Sequence, residues 1–417
     1  MHVRSRDRVG AVLFDPYNGA LGLLRFPEGD RVRREARMLR SATILELRSP
    51  AVRLAVAAIL AAMLLGMLAC APPEPLRIGF LGGLSGRVAD LGIGGRNGAT
   101  LAVELRNQTG GINGRPIELI VEDDQQDAEV ARQAVARLLA RKVEVVIGPM
   151  TSSMAVAVLP LLNDAAIPLI APTVTTNALT GLDDQFFRVV APTAAHVAKS
   201  VEYHFRQNGL RRVVLVCDLR NKAYSDSWAN DFRKSFERMG GQVVDQFGFD
   251  SGEALSTLAS SILASMPDGV LIIANSVDTA LLVQQIRMRD GAVRIGTAEW
   301  AATERLTELG GRAVEGLVVA QYVDRESAAP AYLAFLKAYR QRFSHEPGFP
   351  GLTAFDATNV ALDALAARAS GQTLKQALLA HGEFAGAQSP IRFDANGDAP
   401  RGTFLSVVRN GQFEPLH

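Results

Sequence analysis

The chain has 417 residues with 44 Lys+Arg, 43 Asp+Glu and two cysteines, for a formal net charge of +1. That balance excludes the basic surface of a nucleic-acid binder, and two cysteines exclude a disulfide-built scaffold. Residues 1–70 hold 11 of the basic and 6 of the acidic residues, which leaves 33 against 37 in the remainder, a net of −4.

The chain opens on an Arg-rich stretch with no clear periodicity, and Met38-Leu39-Arg40 would itself make a normal signal start. Residues 1–37 therefore read as an over-extended N-terminus. Leu54–Ala69 is an unbroken run of 16 apolar residues, preceded by Arg40, Arg48 and Arg53 and followed at once by Cys70. The run is shorter than the roughly 20 residues a membrane-spanning helix needs. Pro72, Pro73 and Pro75 also stop it from continuing. Residues 38–69 are expected to be a secretion signal and 70–75 a tether. The junction Met67-Leu68-Ala69-Cys70 resembles a bacterial lipobox, with methionine in place of the usual leucine. Cys70 is then the lipidated first residue of the mature protein, and its lipid the membrane anchor. The other cysteine, Cys217, closes the apolar run Val213–Val216 and reads as a small core residue.

The mature chain of about 350 residues exceeds what one core usually supports, which implies two domains. Short β-rich runs alternate with amphipathic helical stretches, the pattern of a parallel sheet with crossover helices. Strands are expected at Arg77–Leu81, Ile117–Glu122, Val143–Ile147 and Pro168–Ile170, with helices near Gly95–Asn107, Ala128–Arg141 and Met154–Ala165 between them. Val130, Ala134, Val135, Leu138 and Leu139 give the second helix one sheet-facing side. A second α/β set follows Ala191-Pro192: helix Ala194–Asn208, strand Arg212–Cys217, helix Ser225–Met239, strand Gln242–Phe249, helix Leu255–Ser265, strand Gly269–Ile273 and helix Asp278–Arg289. The tail contributes strand Gly316–Ala320, helices Ala329–Phe343 and Gly351–Ala367, and strand-like runs Ile391–Phe393 and Phe404–Val408. These are too few for a third lobe, so they distribute over the first two. The expected division is 76–191 and 318–388 for the first lobe, with 192–317 and 389–417 for the second.

Gly82-Gly83-Leu84-Ser85-Gly86 follows the first strand but lacks the spacing of a dinucleotide-binding turn. The chain has no phosphate-loop, nucleophile-elbow or zinc-protease motif. No catalytic, cofactor or metal-binding residues are expected, and the chain does not read as an enzyme. Ile147-Gly148-Pro149-Met150-Thr151-Ser152-Ser153 ends a strand with hydroxyl residues where a helix begins. Two readings stand at this point: a site for a carboxylate or other anion, or a helix cap without a ligand. Ile170-Ala171-Pro172-Thr173-Val174-Thr175-Thr176-Asn177 is a second hydroxyl-rich turn at a neighbouring strand end. Ligands of parallel sheets gather at the carboxyl ends of strands, so both turns are expected to open on one crevice.

The residues then resemble the leucine/isoleucine/valine-binding protein family, the periplasmic receptors of branched-chain amino-acid type ABC importers. The resemblance rests on Leu84-Ser85-Gly86 with Gly98-Ala99, Gly110-Gly111-Ile112-Asn113-Gly114, Glu122-Asp123-Asp124, Ile147-Gly148-Pro149, Ile170-Ala171-Pro172, the run Gly310–Gly316 and Phe393–Asp398. It implies an α/β, two-lobed type I periplasmic-binding-protein fold, with parallel-sheet lobes joined by a three-crossing hinge. It also implies that Ser152, Ser153, Thr173 and Thr175 hold a ligand carboxylate and that Tyr224 covers the ligand, although Tyr224 packing only on its own helix is the competing reading. Glu299 matches the family's ammonium-binding acid, against a plain solvated carboxylate. Asn275 and Ser276 stand near, to within one residue, an amine-contacting tyrosine of amino-acid binders. Leu91 replaces an aromatic, and Gln126 and Thr151 replace the cysteines of a family disulfide.

The expected function is capture of a small amino-acid-like or amide-like solute for an ABC permease in the inner membrane. The alternative is a sensory receptor of the same fold reporting to a signalling partner. Amino acids, short amides, urea-like molecules and aromatic acids all fit hydroxyl turns with one tyrosine and one acid.

Overall fold

A computed structural model describes residues 50–58, 73–250 and 254–416, so Cys70 and its junction lie outside the described residues. The chain divides into two units at Pro72-Pro73. Of the first unit, residues 50–58 form a helix. Among the described residues, no helix is long and apolar enough to cross a membrane.

The second unit contains two sheets. The first joins β1 (Leu76–Gly82), β2 (Ile117–Asp123), β3 (Val146–Ile147), β4 (Leu169–Ala171) and β5 (Phe186–Arg188) in the order β2-β1-β3-β4-β5, all parallel. Its helices include α1 (Ala89–Gln108), α2 (Ala128–Ala140) and α3 (Ser152–Ala165). Asp127 caps α2 by accepting from the Glu129 and Val130 N–H groups, and the helix buries Ala131, Ala134, Val135 and Leu138. Those residues recur at three- and four-residue spacing, so the sheet-facing side expected from the sequence is the buried one.

The chain passes into the second lobe after β5, through Val189–Pro192, and enters α4 (Thr193–Glu202). There β6 (Arg212–Asp218), α5 (Lys222–Arg238), β7 (Gln242–Phe249), α6 (Leu255–Ala264), β8 (Gly269–Ile273), α7 (Ser276–Arg287), β9 (Arg294–Thr297), α8 (Glu304–Gly310) and β10 (Val318–Gln321) follow. Strands β7-β6-β8-β9-β10 are parallel, and β11 (Phe404–Arg409) and β12 (Gln412–Pro415) extend the sheet antiparallel beyond β10. The sequence reading puts residues 318–388 with the first lobe. Strand β10 is instead hydrogen-bonded between β9 and β11, so the chain returns to the first lobe only after Gln321. It then forms α9 (Pro330–Phe343), α10 (Gly348–Ala367) and α11 (Leu374–Ala380) before crossing back to β11, which makes three connections between the lobes.

Helix α10 is apolar on nearly every face and buries 14 of its 20 residues, as befits a helix enclosed within the lobe. It packs along α1 at a glycine crossing, where a Cβ on Gly98 would lie 2.0 Å from the Gly351 carbonyl oxygen. Only the absence of that carbon lets the two backbones approach so closely.

Candidate functional site

The N-termini of α3 and α5 meet across the gap between the lobes. The Ser153 N–H donates to Asn221 Oδ1 at 2.9 Å, and the Ala223 N–H donates to Ser153 Oγ at 3.2 Å. The first turn of a helix leaves N–H groups without intrahelical partners. Here each helix start is capped by a side chain from the opposite lobe. Two positive helix ends converging on one space favour an anionic or carbonyl group there.

Further contacts close the gap on both flanks. Thr176 Oγ1 donates to the Ala223 carbonyl at 2.8 Å, and Asn177 Nδ2 donates to Asp231 at 2.7 Å. On the other flank Arg87 pairs with Asp278 at 2.5 Å, and Asp90 accepts from Ser276 Oγ at 2.6 Å and Thr303 Oγ1 at 2.5 Å. Asp278 also pairs with Arg220 and accepts from Asn275 Nδ2.

Between these flanks lies a small cavity lined by Leu91, Met150, Ser152, Thr173, Asn221, Tyr224, Trp300, Tyr322 and Phe349. The contacts on both flanks shut the lobes over this space, so exchange of a solute requires them to part.

The walls combine six apolar or aromatic side chains with three polar ones, the composition of a small-molecule site. Thr173 Oγ1 donates to the Met150 carbonyl at 2.6 Å, and the Thr173 carbonyl accepts from the Tyr322 hydroxyl at 3.0 Å. Tyr224 stands edge-on to Trp300, with ring centroids 5.6 Å apart. Glu299 is fully buried and does not itself line the cavity. Its Oε2 accepts from Trp228 Nε1 at 3.0 Å, its carboxylate neighbours the Tyr224 hydroxyl, and its Oε1 makes no geometric hydrogen bond among the described residues. Burial, and after it the Glu299 charge, raises the Tyr224 and Tyr322 phenols well above their ordinary values, so both keep their protons and remain donors.

Of the residues singled out from sequence, Ser152, Thr173 and Tyr224 line the cavity. Ser153 spans the lobes as described. The Thr175 hydroxyl accepts from Thr193 Oγ1 at 2.9 Å beside the first crossing, away from the cavity wall. Asn275 caps α7 through the Asp278 N–H, and Ser276 binds Asp90. Neither lines the cavity. The sequence reading missed Asn221, Trp300, Tyr322 and Phe349. Tyr322 directly follows strand β10, and Trp300 follows Glu299 just past β9, so the strand-end rule that selected Thr173 also points to both. Among the described residues no group of His, Cys, Asp and Glu is placed to hold a metal ion.

A model of the periplasmic binding protein family matches residues 75–412. The leucine-, isoleucine-, valine-, threonine- and alanine-binding protein of Pseudomonas aeruginosa is 22% identical over 329 residues, 78% of this chain and 87% of that protein. A Leu/Ile/Val-binding protein of Rhizobium johnstonii is 29% identical over 241 residues, 54% of this chain and 62% of that protein. Among solved structures, a leucine-binding protein of Thermotoga maritima superposes with a TM-score of 0.77 at 26% identity, covering 82% of this chain and 98% of that one. The family match covers both lobes and all three crossings, and the chain belongs to the periplasmic binding protein family.

Proposed function

We propose that the interlobe cavity is the solute site, and that the chain captures a small amino-acid-like or amide-like molecule outside the inner membrane and delivers it to an ABC permease. The observation that carries this reading is the reciprocal capping of α3 and α5. Two helix N-termini and the Ser152 hydroxyl surround a closed, mostly apolar space. A ligand carboxylate or carbonyl sits at that end, with its carbon frame against Leu91, Met150 and Phe349. The unpartnered Glu299 Oε1 receives the ligand amine when the lobes open and reclose around it. The relatives named above are amino-acid-binding proteins, which supports the same class.

Calorimetric titration tests the assignment. Glu299→Gln should weaken an amine-bearing ligand about tenfold or more and leave its deaminated analogue nearly unaffected. Equal losses for both would remove Glu299 from amine recognition and move the ligand towards plain acids. Anchoring through acylated Cys70 is part of the same proposal, resting on the apolar run, the lipobox-like junction and the proline tether. Mass spectrometry of membrane-extracted protein should find no peptide from residues 1–69, and an intact Leu68-Ala69-Cys70 peptide as the main species would exclude it.

A further inference from the structure

Trp300 lies on the short 3-10 turn Glu299–Ala301 after β9, is 4% exposed, and forms part of the cavity wall. An indole N–H donates and never accepts, and this one has no acceptor among the described residues. Buried donors in native proteins are paired, so an unmet one in the wall of a binding cavity marks a place where an acceptor arrives with the ligand. The ring is held in position, since Tyr224 packs edge-on against it at an interplanar angle of 76°. Nor is the neighbouring carboxylate its partner. Glu299 gives one oxygen to Trp228 instead, and its other oxygen is itself unpartnered.

The first-lobe end of the cavity, at Ser152 and the start of α3, is already assigned to the ligand's carboxylate or carbonyl. Trp300 belongs to the second lobe, across the cavity. We propose, resting on the ligand reading above, that the Trp300 indole N–H donates to a second oxygen on the ligand. The solute is therefore an amino acid or amide whose side group carries a carbonyl or hydroxyl oxygen, in preference to a purely aliphatic one. Leu91, Met150 and Phe349 supply apolar wall on which the carbon atoms of that side group pack. An aliphatic ligand of the same shape leaves the indole N–H dry and unpaired, which is the arrangement by which sites reject analogues lacking a polar group.

Two nearly isosteric pairs test this by calorimetry on the purified chain: L-asparagine against L-leucine, and L-threonine against L-valine. In the wild type, the oxygen-bearing member of at least one pair should bind at least tenfold more tightly. Trp300→Phe keeps a ring in the wall and removes the donor, so it should weaken that member about tenfold more than its aliphatic partner. The wild-type preference is informative even if this variant folds poorly. Equal or tighter binding of the aliphatic member in both pairs overturns the proposal, as does an equal loss for both members in Trp300→Phe. If the aliphatic members win and Glu299→Gln still weakens them, the amino-acid reading survives and the Trp300 assignment alone falls. Binding of none of the four removes both.

Discussion

Asp90 offers a way to open the clamp without touching the cavity. Its Oδ2 accepts from Ser276 Oγ at 2.6 Å and from Thr303 Oγ1 at 2.5 Å, both from the second lobe, and it does not line the cavity. When the lobes part, water replaces both hydroxyls, so Asp90→Ala removes stabilisation from the closed form alone. At this half-buried position each bond contributes about 1 kcal/mol, for a total of about 2 kcal/mol, or roughly 30-fold in the closed-to-open ratio. A ligand that completes its contacts only in the closed form then loses apparent affinity by up to the same factor of about 30, the full factor appearing where the closed form is minor in the free protein. Calorimetry gives the affinity, and small-angle scattering of the ligand-free protein gives the shape. An unchanged Kd together with an unchanged radius of gyration would refute the role of these bonds in closure.

Burial pushes the Asp124 carboxyl up to about 6 from the ordinary aspartate value of 3.8, and its Oδ2 has no partner among the described residues. Between those two values the folded chain holds a proton that the unfolded chain releases, so this group's contribution is fully present below the lower value and is lost as pH rises through the upper one. The unfolding free energy of Asp124→Asn minus that of wild type should therefore rise by about 3 kcal/mol between about pH 3.5 and about pH 7 in urea melts, and a flat difference contradicts the assignment. Gly98→Ala forces a Cβ to 2.0 Å from the Gly351 carbonyl oxygen and should lower the unfolding free energy by about 2 kcal/mol or more, measured by denaturant titration. The Cys217 thiol is buried and pushed up to about 12, chiefly by burial, so iodoacetamide should label it only after unfolding; labelling at a free-thiol rate in the native protein would contradict its placement.

The alternation of strands and helices was legible because periodicity reports which face is buried, as α2 shows with its sheet-facing residues. The elements that escaped were short. Strands β5 and β12 have three and four residues, too few to display an alternation. Helix α11 left a signal that the reading passed over, the Thr373-x-x-Gln376 capping box. At the site, the hydroxyl turns at strand ends include Ser152 and Thr173, which line the cavity. A hydroxyl pattern does not reveal what its members bond to, however, and Thr175 serves Thr193 while Ser276 serves Asp90. Asn275 with Asp278 three residues on was readable as a helix cap, the role it has. Phe349 and Asn221 reach the cavity through long-range packing across two lobes, which local sequence does not encode. The boundary near residue 318 was misplaced for a similar reason. Strand β10 is assigned by its partners β9 and β11, the latter more than 80 residues away.

Capture between the lobes is tested by small-angle scattering of the mature protein, with and without a saturating solute identified by thermal-shift screening. The radius of gyration should fall when the solute binds and the lobes close, bringing Ser153 to Asn221 and Asp90 to Ser276 and Thr303. An unchanged radius, with binding verified separately by calorimetry, would contradict capture between the lobes.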